Sequence, residues 1–280
     1  MNQLMSVIET RVRTRLGLDD HQSIEHPPLP PATTPPAPTL MGQRLWPPAL
    51  PPEPLPSPEH LIHILERSVL APDVTLIDLE AQCMEVRNQG YRAICVHPNH
   101  VARTAALLSG CDAWICAAID PNNTLTTATK AFAAQEAAHL GAHAIEMALD
   151  HHALWERDHR HVLNDIRTVV EAVPDHPLTL HLGAALAHAP TTTMACTLAK
   201  AAGAAAVHTG VLDHTALIDV AEQLAHIRSV LGDDVGIKAS LLSGDPKDMF
   251  ALLNAGVSHI STPQGGALMG NTTPETPNDP

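Results

Sequence analysis

One short unit recurs along the middle of this sequence and limits its folds more than any other feature. A helical pattern ends at a glycine, two residues follow, and a short apolar run of β character begins. The unit appears at Gly90 before Ala93-Ile94-Cys95-Val96, at Gly110 before Ala113-Trp114-Ile115-Cys116, at Gly141 before Ala144-Ile145-Glu146-Met147, and again at Gly203 and Gly256. Glycine suits the place because the residue after a helix often turns left-handed, which costs a residue without Cβ nothing extra. With the runs Leu61 to Leu70, Leu178 to Leu182 and Val235 to Lys238 there are eight candidate strands. Each is followed by a helical segment except the last, whose helix should be short or missing. Two helix starts are marked: Thr75 with Asp78 reads as a capping box, and Asp245-Pro246 as a cap with proline in the first turn. Alternating strands and helices imply parallel strands. Eight units within residues 59–270, with no Gly-x-Gly-x-x-Gly turn after the first strand, predict a closed (βα)8 TIM barrel of the α/β class rather than an open doubly wound sheet.

The flanks read differently. Leu4, Val7, Ile8, Val12 and Leu16 recur at helical spacing, so residues 1–20 are expected to form an amphipathic helix. Residues 21–58 are dominated by proline, which removes backbone donors and blocks regular structure, and should be an extended, disordered linker. Residues 271–280 read as a polar, disordered tail. With 2% aromatic residues the barrel core must come from Ala, Leu, Val and Ile, and base stacking is excluded. A net charge of -14 argues against nucleic acid and anionic membrane as partners. Five cysteines without Cys-x-x-Cys spacing read as reduced core thiols, and no signal segment or long apolar run stands out, so a cytoplasmic protein is expected. Ala- and Leu-rich helix faces make a homodimer reasonable, and residues 1–58 are candidates for contacting a protein partner.

Several motifs go further. Glu66-Arg67-Ser68-Val69-Leu70-Ala71-Pro72-Asp73-Val74-Thr75 is similar to the opening strand Asp-His-Thr-Leu-Leu-Lys-Pro-Asp-x-Thr of deoxyribose-phosphate aldolases, and Ala93-Ile94-Cys95-Val96-His97-Pro98 to their second strand, Val-Cys-Val-Asn-Pro. The longest match runs from Thr127 through Glu136, Gly141 and Glu146 to Ala153-Leu154, then from Val162 to Ala172. The chain therefore resembles that family in order and spacing across nearly the whole barrel.

The resemblance implies reversible aldol cleavage of 2-deoxyribose 5-phosphate to glyceraldehyde 3-phosphate and acetaldehyde, through an imine on a strand-six lysine, with no cofactor and no metal. Here the strand-six motif Ile-Lys-Thr-Ser-Thr-Gly falls on Val207-His208-Thr209-Gly210, so His208 stands where the imine lysine belongs. The strand-seven lysine is kept as Lys238, and the strand-four aspartate becomes Glu146. The same correspondence puts Cys95, Thr209 and Gly236 among substrate-binding residues. The phosphate elements change: the strand-seven Gly-Gly falls near Leu241-Leu242 and the strand-eight Gly-Ala-Ser on Ser261-Thr262-Pro263. The strand-five Glu-Thr falls near Gly183-Ala184.

Three readings follow. In the first, the barrel keeps the family fold but its reaction is impaired or lost. In the second, it is a lyase acting on a different, unphosphorylated hydroxy-aldehyde or sugar, with Lys238 as nucleophile and Glu146 moving protons. In the third, His181, His208 and His259 join Glu146 and the Asp150-His151-His152 loop around a divalent metal at the barrel mouth.

Overall fold

The computed structural model describes residues 63–211, 217–242 and 245–263; the expected N-terminal helix, proline linker, C-terminal tail and any helix after the last strand lie outside them. Eight parallel strands close into a barrel in sequence order. They are β1 (Leu65–Val69), β2 (Ala93–Val96), β3 (Trp114–Ile119), β4 (Ala144–Ala148), β5 (Leu178–His181), β6 (Ala206–Val211), β7 (Gly236–Ser240) and β8 (His259–Thr262). The α-helices among the described residues are α1 (Leu76–Gln89), α2 (Val101–Leu107), α3 (Thr127–His139), α4 (His151–Trp155), α5 (His159–Ala172), α6 (Ala189–Ala202), α7 (Leu217–Leu231) and α8 (Pro246–Asn254). The fold is thus a (βα)8 TIM barrel.

The marked signals act where the sequence puts them. Gly90 ends α1 at φ 77° and Gly203 ends α6 at φ 90°, left-handed values that let each chain turn straight into the next strand. Thr75 caps α1 with a reciprocal box: its Oγ1 accepts from the Asp78 amide at 3.2 Å, and Asp78 accepts from the Thr75 amide at 3.0 Å. Asp245 caps α8 by accepting from the Lys247 amide. The first strand begins later than the apolar run beginning at Leu61 suggests, since His63 and Ile64 are in a turn.

Period-two alternation sorts every strand into two faces. One face packs under the helices in a continuous apolar core that includes Ile94, Ile145, Met147, Leu180, Ile237 and Ile260. The other face lines the lumen, where a separate small cluster holds Cys95, Cys116, Ala118 and Ala144, with Trp114 and Leu70 packed against it. Trp114 also stacks on His143 and lies under the Arg92 guanidinium, 4.5 Å from its ring centre. Outside the lumen, Lys130 of α3 is buried against Asp165 of α5 at 2.9 Å and donates to Asn123 of the β3–α3 loop, tying the two helices to that loop.

Candidate active site

Strands β1, β4 and β7 are not neighbours in the barrel order, so side chains that bond between β4 and the β7–β1 side must meet across the lumen. Lys238 of β7 does this. Its ammonium is buried, lies 2.7 Å from Glu146 Oε2 of β4, and also bonds Glu66 Oε1 of β1. Glu66 in turn accepts from Ser261 Oγ of β8 at 3.2 Å. The second oxygen of Glu146 faces His208 of β6, with Nδ1 to Oε1 at 2.9 Å, and the far nitrogen of that ring lies 2.8 Å from Ser240 Oγ of β7. The ring of His181, at the end of β5, meets the His208 ring edge-on at 4.9 Å.

Electrostatics follow from this packing. Burial alone would raise the Glu146 carboxyl, but the His208 ring and the Lys238 ammonium beside it hold it well below the usual carboxylate range. Burial alone would lower Lys238, but Glu146 and Glu66 outweigh it and push the amine well above its ordinary value. Burial pushes the His181 ring down to about 4, helped by His208, so it is neutral near pH 7. Above these groups lies a cavity of about 170 Å³, lined by Ser68, Leu70, Glu146, His181, His208 and Ser240 among others. Its described lining holds neither lysine nor arginine.

The residues singled out from the sequence divide into two sets. Glu146, His208 and Lys238 come together as one bonded group. Cys95 lies beside them: its sulfur, the Cys116 sulfur and a Glu146 oxygen lie within 4.8 Å of one another. Thr209 does not face the mouth. It follows His208 in the strand, so its side chain turns outward, and its Oγ1 reaches the Gly210 and Lys238 carbonyl oxygens at 3.4 Å. Gly236 is at the first position of β7, where a Cβ would stand 3.2 Å from the Ala206 Cβ and 3.3 Å from Ser258 Oγ; it packs the lower barrel.

Of the three histidines of the metal reading, His181 and His208 are register partners on β5 and β6 with their rings in contact, whereas His259 opens β8 and its Nδ1 lies 3.3 Å from Ser258 Oγ. Among the described residues, the grouping with convergent ligand atoms is Cys95, Cys116 and Glu146, not the histidines. Both Glu146 oxygens are already bonded, and the Cys116 thiol together with burial keeps the Cys95 thiol well above its ordinary range, so this trio reads as packing. His151 is turned to the Leu182 carbonyl oxygen, 2.8 Å from its Nε2.

Sequence reasoning missed Ser240 and the role of Glu66. Both were findable: Ser240 lies two residues after Lys238 and so shares its face, and Glu66 replaces a polar motif residue on β1. At the end of β7, the Leu241 amide donates to the Ser261 carbonyl oxygen at 2.8 Å and is spent on the sheet ladder.

The chain matches no protein-family model. It is 32% identical over 206 residues to the deoxyribose-phosphate aldolase of Brevibacillus brevis, covering 73% of this chain and 93% of that one. It is 30% identical over 211 residues to that of Macrococcus caseolyticus, covering 75% and 96%. Among solved structures it is similar to the tetrameric deoxyribose phosphate aldolase of Aeropyrum pernix, with a TM-score of 0.67 at 19% identity over 77% of this chain and 92% of that one. A barrel in sequence order and these relatives, matched over nearly their whole length, identify the chain as a member of the deoxyribose-phosphate aldolase family.

Proposed function

We propose that this member keeps the family's barrel but has lost its imine step, and that its mouth accepts a small unphosphorylated polar molecule. The observation that carries the proposal is Lys238 held as an ammonium between Glu66 and Glu146, while His208 takes the strand-six position of the imine lysine. Attack on an aldehyde needs a neutral amine, produced by burial or by a neighbouring cation. Two carboxylates do the reverse, so the Lys238 amine is withdrawn from chemistry. The ligand class follows from the lining: an ionised Glu146 with no described lysine or arginine repels a phosphate, and about 170 Å³ admits a molecule of only a few heavy atoms.

The test is borohydride trapping with deoxyribose 5-phosphate and with acetaldehyde, followed by peptide mapping. The expected result is no adduct on Lys238 and no cleavage of deoxyribose 5-phosphate above the uncatalysed rate. A reduced adduct on Lys238 would restore the reading of a relocated aldolase.

A further inference from the structure

We propose that Ser240, His208 and Glu146 form a nucleophilic relay that transfers a small acyl group from an ester to water. The three are joined in the order that such chemistry requires, Ser240 Oγ to His208 Nε2 at 2.8 Å and His208 Nδ1 to Glu146 Oε1 at 2.9 Å. An ionised Glu146 can only accept, so His208 Nδ1 carries the hydrogen and donates it. The other ring nitrogen, Nε2, then faces the Ser240 hydroxyl as its proton acceptor. Lys238, on the other Glu146 oxygen, fixes the carboxylate that orients the ring. All three relay residues come from strands of the closed sheet, β4, β6 and β7, which hold their geometry more firmly than loops do.

The relay opens onto the cavity, whose size suits an acetyl-like acyl group and whose carboxylate disfavours an anionic one. The His181 ring, neutral near pH 7, lies in the same wall and supplies an N–H for the oxyanion of a tetrahedral intermediate. In the first half-reaction Ser240 Oγ bonds the ester carbonyl carbon as its proton moves to His208 Nε2. The intermediate collapses, the bond to the alkoxide breaks, and the alkoxide takes that proton and leaves as alcohol. In the second, water attacks the acyl-serine and gives a proton to Nε2, and Ser240 Oγ departs with it as the carboxylic acid is released.

The experiment treats the full chain with methanesulfonyl fluoride, small enough for the cavity, locates the adduct by peptide mass mapping, and follows p-nitrophenyl acetate hydrolysis. One sulfonyl group on Ser240 is expected, with hydrolysis slowed at least ~100-fold in Ser240→Ala and in His208→Gln. Ser229→Ala, on the exposed face of α7, should behave as the parent. If His208→Gln does not fold, Ser240→Ala alone decides. No adduct at Ser240 in the folded protein, or hydrolysis unchanged in Ser240→Ala, overturns the relay. This result is independent of the borohydride experiment, since one reads an acyl-type adduct on serine and the other an amine adduct on Lys238.

Discussion

The two faces of this one sheet are built from opposite materials. Outward, Ile94, Ile145, Leu180, Ile237 and Ile260 are wholly buried in apolar packing under the helices. Inward, the space that many barrels fill with layers of branched aliphatic side chains holds alanines and cysteines, then a buried chain of charge from Ser261 through Glu66, Lys238 and Glu146 to His208 and Ser240. The shell pays the cost of folding, and the lumen is left to hold a set of ionised groups in fixed geometry. Apolar packing tolerates exchange among residues of similar volume, whereas a buried ion network tolerates little, because every removed partner leaves a charge unmatched.

The contrast can be broken most sharply at Lys238. Lys238→Met should destabilise the protein by about 3–5 kcal/mol in urea unfolding, because Glu66 and Glu146 are left facing each other without a cation. Neutralising both carboxylates as well, with Glu66→Gln and Glu146→Gln, should return much of that loss. A small effect of Lys238→Met alone would mean that water screens the lumen. In the shell, Leu180→Ala should cost about 2–4 kcal/mol through the cavity it leaves, with no recovery from any charge change in the lumen.

Acid should expose the lumen before the shell. The folded value of His181 lies at about 4, depressed from 6.5 by burial, and burial also lowers His259. A base depressed in the folded state favours folding fully above 6.5, and that contribution is lost as pH falls toward 4 and the unfolded chain binds the proton more readily. The depressed Glu146 adds a loss of the same sign at lower pH, as pH falls below 4.5. Unfolding free energies at successive pH values should therefore fall by up to about 1.4 kcal/mol per pH unit for each such histidine, and His181→Phe should flatten that slope. The smallest effect belongs to the periphery: Thr75→Ala, which removes the cap of α1, should cost about 1 kcal/mol and leave the lumen's chemistry untouched.

The shell was readable in the sequence because its signals are local. Gly90, Gly203, Thr75 and Asp245 announce helix ends within a few residues, and the apolar runs give strand positions to within a few residues. The lumen was readable only in part. Lys238, Glu146 and His208 could be named because the matched motifs put each on a strand. The second carboxylate on Lys238, Glu66, lies 172 residues away and meets it only when the barrel closes. Thr209 and Gly236 illustrate a related limit of local signals: position in a motif does not fix which face of the strand a residue takes or how deep it lies, and Thr209 turns outward while Gly236 packs low.

Whether Lys238 is a buried ammonium or a reactive amine can be read directly, since the chain has only four lysines, at positions 130, 200, 238 and 247. Labelling lysine at the ε-carbon with ¹³C and following the four resonances against pH reads the charge of each directly. The resonance lost in Lys238→Met is expected to keep its ammonium position up to at least about pH 10. A midpoint for that resonance near neutral pH would contradict it, showing a neutral amine poised for imine formation in the barrel mouth.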